Sequence, residues 1–468
     1  NWKTRLRIRM QQRRKLDQKQ INQELLSGNL KTPKWYIPTM IFLGFFVVTG
    51  FATILYMMNR GLGVTGLGRP VYWGLFITTF VFWVGISHAG IMISAILRLT
   101  QAEWRRPVTR AAELLTVFSL LTALFFPLMH AGRPWRIAYW LLPYDFSRGI
   151  WPNIRSPLFW DPIAIGTYLT GSTLFLYVAL IPDLAVLRDR TTGWQKVMYT
   201  VLALGWRGNP RQWLLQTVAG ILLSALMLPI FVSVHSIVSW DFAITPSVEG
   251  WHSTIFAPYF VIGAVHSGVS AVVTMMALMR WLWKWNNHIR PEHFDALARL
   301  LIVVATAWLG CTFLELIFSV YGREAPEIAL REMQIFTWPW NLLFIIFLFT
   351  GYIIPVGFWI FKKARNNIVI MFWTSILVNV GMWLERFLII VPGLARKQPF
   401  TFTWEAYTPS LVEWYIMIWS FAWVSFLMLL FARFFPLIPL FETKESQVFT
   451  SETKIGRATV PVIYREDD

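Results

Sequence analysis

Ten stretches of about twenty or more mostly apolar residues follow one another along this chain, near 36–58, 71–97, 107–131, 160–187, 211–235, 254–283, 296–321, 335–362, 367–391 and 411–436. A bilayer core takes about 20 residues of helix at about 1.5 Å per residue, so each stretch is long enough to cross it. In lipid, every backbone N–H and C=O has to find its partner inside the protein, and a helix does this within one segment. The expected fold class is therefore an all-α polytopic membrane protein with about ten transmembrane helices. Composition agrees: 56% of residues are hydrophobic, only 14% are charged and mean hydropathy is +0.50. The single cysteine, Cys311, excludes a disulfide scaffold, a cysteine-ligated iron–sulfur cluster and a thiolate zinc site within the chain.

The net charge of +17 would point to nucleic acid in a soluble protein, but in a membrane protein it first reports topology. Lys and Arg are retained on the cytoplasmic side. The N-terminal tail and the even-numbered loops with the C-terminal tail hold 31 of them, the odd-numbered loops hold 10, and Arg386 lies inside a span. Both termini are expected in the cytoplasm of a bacterial inner membrane, with lipids and not nucleic acid as the surroundings. The domain layout is a basic tail over 1–35, a membrane domain over 36–436 and a second tail over 437–468.

The chain also repeats itself. Ile86-Ser87-His88-Ala89-Gly90 in span two is echoed by Val265-His266-Ser267-Gly268 in span six. Arg106-Pro107 before Ala111-Ala112-Glu113 is echoed by Arg290-Pro291 before Ala296-Leu297-Ala298. The copies lie four spans apart and so run in the same direction. The expectation is two parallel four-helix bundles, spans 2–5 (about 71–235) and 6–9 (about 254–391), flanked by spans 1 and 10.

Ionisable groups inside the hydrocarbon are costly, so each is a functional candidate. A membrane b-type haem needs paired axial histidines from facing helices. His252 and His266 are fourteen apart, but His88, His130 and His235 stand singly, and no haem is expected. No metal site is expected either. The richest stretch runs from Pro127 through His130-Ala131-Gly132-Arg133-Pro134-Trp135, Tyr139 and Trp140 to Phe159-Trp160-Asp161. His130 closes span three and Asp161 opens span four, both at the outer face. A quinol releases two protons with its two electrons, and a histidine and a carboxylate are suitable acceptors. Trp135, Tyr139 and Trp160 would wall in the ring and tail. An interfacial aromatic belt, with His130 as a helix cap and Asp161 beside a helix N-terminus, accounts for the same residues equally well.

Several phrases resemble the NrfD/polysulfide-reductase family of membrane subunits. They are Ser87-His88-Ala89-Gly90 with Leu97-Arg98-Leu99-Thr100-Gln101-Ala102-Glu103-Trp104-Arg105-Arg106-Pro107, His130-Ala131-Gly132-Arg133-Pro134-Trp135, Arg155-Ser156-Pro157-Leu158-Phe159-Trp160-Asp161 and Leu180-Ile181-Pro182-Asp183-Leu184-Ala185. Within the family, the ten spans and long basic N-terminus are most similar to one membrane-subunit branch of bacterial alternative complex III, a quinol:electron acceptor oxidoreductase. The resemblance implies an oxidoreductase subunit that is inactive alone. It implies a menaquinone or ubiquinone site at the periplasmic face, with His130 and Asp161 in quinol-contacting positions and Arg133 nearby. It further implies a periplasmic iron–sulfur subunit, multihaem cytochromes c and a second NrfD-like membrane subunit as partners, with no haem or iron–sulfur cluster in this chain.

The remaining intramembrane groups are His88, His266, Asp183, Glu315, Glu385 and Arg386. The resemblance offers them as parts of proton half-channels; buried charge pairs that hold helices together are the competing reading. His88 is expected about 26 Å into span two, toward the cytoplasm. Glu385 and Arg386, as sequence neighbours on a helix, are not expected to face each other. Three function classes stand: a quinol-oxidising subunit, a non-redox proton channel or transporter, and a structural anchor for peripheral redox subunits.

Overall fold

The computed structural model describes residues 18–100, 102–132, 157–244, 248–396, 407–448, 452–455 and 458–461, and the positions 135, 147, 149, 151, 154 and 155. Among the described residues, ten helices are long and apolar enough to cross a membrane. They are span 1 (Tyr36–Arg60), span 2 (Leu75–Leu99), span 3 (Arg106–His130), span 4 (Phe159–Arg188), span 5 (Pro210–Ile244), span 6 (Phe256–Trp283), span 7 (Pro291–Gly322), span 8 (Trp340–Trp359), span 9 (Ile368–Ala395) and span 10 (Leu411–Phe434). The chain is a multi-pass integral membrane protein, and an even number of crossings puts both ends of the membrane domain on one face.

Spans 2, 3, 4 and 5 pack in a closed ring, and spans 6, 7, 8 and 9 in another; spans 1 and 10 pair with each other and lean on spans 2 and 3. The seam between the rings is made by spans 2 and 6. Every residue from Leu75 to Ile86 is buried. Small residues let the backbones meet there, as helix contacts in lipid require. A Cβ on Gly268 would lie 2.8 Å from the Ala89 nitrogen and 3.0 Å from the Ile86 oxygen, and one on Gly85 would lie 3.2 Å from Ser267 Oγ. The repeated His-small-Gly motif is thus in part a packing device. Just beyond it, residues Ile91–Ile96 are π-helical, which frees backbone groups. Thr116 of span 3 meets them, donating to the Ser87 carbonyl at 2.6 Å and accepting from Gly90 N–H at 2.9 Å.

Among the boundaries that shift by several residues, two bear on the site. Span 5 continues to Ile244, past His235, because Ser236–Phe242 stays in helical register against span 4. Span 2 begins at Leu75, so His88 lies thirteen residues in, about 20 Å at 1.5 Å per residue, near mid-membrane and not in the terminal half.

The termini clamp their own face. The helix Gln18–Leu30 buries Ile21, Leu25 and Leu26, and its Glu24 Oε2 lies 2.8 Å from His288 Nε2. The C-terminal helix Leu440–Val448 brings Glu442 to Arg98 at 2.9 Å and Arg105 at 3.1 Å. A short antiparallel hairpin, Glu452–Ile455 with Ala458–Pro461, follows in the tail.

Candidate functional site

At the far face, span 3 ends on His130 and span 4 opens on Asp161. His130 Nδ1 and Asp161 Oδ1 are buried atoms without a hydrogen-bond partner, and no hydrogen bond or ion pair joins these two residues among the described residues. The group that meets Asp161 is Asp241 of span 5, the two carboxyls lying close enough to share a hydrogen bond. Such a bond needs one proton held between the two carboxyls. Asp241 is 5% exposed and its Oδ1 is likewise unpartnered. Two acids side by side, each with an oxygen left over, thus lie at the same end of the bundle as His130.

The aromatic wall differs from the expected one. Trp135 is 68% exposed, and Trp160 donates its indole N–H to the Ile154 carbonyl at 2.7 Å, tethering the loop. Arg133 and Tyr139 lie outside the described residues. At the same end of span 5 an aromatic cluster forms around Phe242, the residue after Asp241: Phe242 lies 5.2 Å from Trp73 and 5.0 Å from Trp251, which stack on each other at 5.9 Å. Trp251 is held by its indole N–H on the Ile389 carbonyl at 2.7 Å.

A band of polar groups continues inward across the seam. His235 lies six residues before Asp241 on span 5, about 9 Å along the helix. It is fully buried, and both of its ring nitrogens are unpartnered. Its ring is 4.5 Å from that of His88, so these two histidines do not stand singly. His88 places its ring nitrogens 2.9 Å from the Val84 carbonyl and 3.0 Å from the Phe231 carbonyl. Phe260, 5.8 Å from His235, carries the Arg386 guanidinium 4.4 Å above its ring. Arg386 does reach its neighbour: Nη1 is 3.2 Å from Glu385 Oε2, both side chains being long enough to fold together in a site that excludes water. Glu385 Oε1 accepts from the Trp308 indole at 2.6 Å, and Trp308 stacks at 5.6 Å on His266, whose Nε2 faces the Gly351 carbonyl at 2.9 Å.

One of the expected path residues stands apart. Asp183 is paired with Arg110 at 3.0 Å, both fully buried, and also accepts from Leu440 N–H at 3.3 Å. Close to them, Ser94 Oγ donates to the buried Glu113 of span 3, an acid not singled out by the sequence reading. Glu315, near the far face, accepts from Ser253 at 2.7 Å and lies 3.5 Å from Arg331. A cavity of about 50 Å³ lined by Glu315, Thr312, Tyr259 and Glu385 connects it with the central band. The much larger cavity, about 810 Å³, lies elsewhere, between spans 1 and 10 and the second ring. That cavity has no acid or histidine in its wall.

Asp241 and His235 were the residues that motif reading missed. Their signal was an acid between Trp240 and Phe242 only six residues beyond a histidine, at the end of an apolar run already long enough to span.

Fold and site together define a class: a polytopic helical membrane protein built of two four-helix rings, with acids and histidines concentrated at one membrane face and along the seam. The chain belongs to the Polysulphide reductase, NrfD family, whose profile matches residues 63–397. It is 28% identical over 236 residues to a putative dimethyl sulfoxide reductase membrane subunit of Halobacterium salinarum, covering 50% of this chain and 50% of that relative. It is 21% identical to a selenate reductase subunit of Mesobacillus selenatarsenatis, over 88% of this chain and 96% of that one. To the Hdr-like menaquinol oxidoreductase integral membrane subunit of Archaeoglobus fulgidus it is 20% identical, over 84% and 91% of the two chains.

Proposed function

We propose that this chain is the quinol-binding, quinol-oxidising membrane subunit of a quinol:electron acceptor oxidoreductase, with Asp161, Asp241 and His130 as its proton acceptors. The observation that carries the reading is the hydrogen-bonded Asp161–Asp241 pair with an unpartnered oxygen on each acid. A pair that holds one proton keeps one carboxylate free to accept a hydroxyl hydrogen bond and then the proton itself. His130 Nδ1 supplies the acceptor for the second hydroxyl. The quinol thus becomes quinone by losing two electrons to a partner protein and two protons to these groups. Phe242, Trp73 and Trp251 supply the flat apolar surface that a quinone ring needs.

The likeness to the menaquinol oxidoreductase subunit of Archaeoglobus fulgidus favours menaquinol as the donor. The alternative complex III branch remains the proposed assignment, with a periplasmic iron–sulfur subunit and multihaem cytochromes c receiving the electrons and a second NrfD-like subunit in the membrane. The excess of Lys and Arg on the terminal face supports cytoplasmic termini, which puts the carboxyl pair on the periplasmic side next to such acceptors. The band from His235 and His88 to Arg386, Glu385 and Glu315 favours proton movement as an accompanying function. A plain anchor would have no use for a buried acid pair with an unpartnered oxygen on each acid.

Solvent extraction of the purified complex tests the reading. Quinone is expected to copurify with the wild-type complex and to be depleted in His130→Ala and in the double variant Asp161→Asn with Asp241→Asn. An intact complex that retains no quinone and is not reduced by added quinol would refute it.

A further inference from the structure

The large cavity has no part in the chemistry above. It runs along span 10 from Trp414 near the far face to Leu429 and Leu437 at the terminal face, and its opposite wall comes from spans 1, 2, 6 and 9. The span 10 residues that line it are 414, 417, 421, 424, 425, 428 and 429, a single helical stripe about 22 Å long at 1.5 Å per residue. The hydroxyl and amide side chains in the wall are hydrogen-bonded: Thr39 donates to Trp35 O, Ser425 to Phe421 O and Asn379 to Ser375 O, while Thr274 pairs with Ser375. Asn379 Oδ1 alone among them is left without a partner. What faces the cavity is mostly hydrocarbon.

We propose that this crevice is a binding site for one anionic phospholipid of the cytoplasmic leaflet, with its acyl chains along span 10 and its phosphate at the terminal face. Charge gives the direction. Trp35 and Trp283 meet edge to face at 5.2 Å beside the mouth, and their chain neighbours Lys34 and Lys284 are both exposed. Neither lysine's ammonium group has an ion pair or hydrogen bond among the described residues. Two unpaired ammonium groups beside a pair of interfacial tryptophans form a headgroup site for a phosphate.

Chemistry disfavours other occupants. Helices in lipid dock through small residues, whereas this wall carries Phe82, Trp83, Phe421 and Met428. A quinol headgroup would find no carboxylate or imidazole to take its protons. The void itself must be filled, since its apolar lining gains dispersion contacts only if alkyl chains occupy it.

Native mass spectrometry of the complex, purified in mild detergent, tests the assignment. The wild-type complex should retain one anionic phospholipid per copy of this chain. Lys34→Glu with Lys284→Glu should lower occupancy at least about fivefold, and Ala271→Trp, which fills the crevice from span 6, should do the same. Lys196→Glu, on the same face but away from the mouth, should leave occupancy unchanged. A second arm uses only the wild-type complex, stripped of lipid and mixed with vesicles. Phosphatidylglycerol vesicles should restore the bound lipid and raise the thermal midpoint, and phosphatidylcholine vesicles should not. The proposal is overturned if no phospholipid is retained or regained, if retention is the same for both lipids and all variants, or if a quinone occupies the site.

Discussion

If Asp161 and Asp241 hold one proton between them, they offer a quinol one carboxylate, and that acceptor is lost only when both acids are replaced. Asp161→Asn and Asp241→Asn preserve shape, and the new amide N–H donates to the remaining carboxylate as the shared proton did, so assembly should survive and each single variant should stay within about tenfold of the wild type. The double variant loses the positioned acceptor, which typically contributes 10²–10⁴ in rate, or about 3–5 kcal/mol of transition-state stabilisation at about 1.4 kcal/mol per decade. Two independent acceptors predict instead a loss of that size in each single variant, adding in the double. His130→Ala, acting on the other hydroxyl, should add its own loss. The assay is stopped-flow reduction of the complex's electron acceptors by a short-chain quinol. A small artificial donor that bypasses the site should still reduce them at the wild-type rate. Large losses in both single variants that add in the double, or near-normal turnover in the double variant, would refute the shared-proton account.

Three further outcomes are expected. With Cys311→Ser as background, single cysteines in either tail should be labelled only from the cytoplasmic side and one at position 149 only from outside; the reverse pattern would put the carboxyl pair on the wrong face. Arg110→Ala strands the buried Asp183 and should destabilise the chain by about 3–5 kcal/mol, whereas Arg110→Met with Asp183→Leu should recover most of this, measured by thermal unfolding in detergent. Burial holds the His288 imidazole below its ordinary pKa, with Glu24 pulling weakly the other way. The docked state thus favours the neutral ring, and docking of Gln18–Leu30 should weaken as pH falls below about 6.5, seen as faster tryptic cleavage near Lys31; cleavage that slows on acidification would refute this.

The one-dimensional pattern of apolar runs was enough to determine the ten spans, because a bilayer imposes both a minimum length and internal satisfaction of the backbone. The same pattern yielded His130 and Asp161 as residues at helix ends on one face. It could not choose Asp241 as the partner of Asp161, since the run before it was already long enough to stop at His235, and only packing of span 5 on span 4 carries the helix on to Ile244. Nor could it pair His88 with His235, 147 positions away, or fold Arg386 back onto Glu385. The reason is physical: hydrophobic length acts residue by residue along the chain. A buried acid or imidazole is defined by what the neighbouring helices bring within about 3–5 Å of it, and that is decided only when the two rings close around spans 2 and 6.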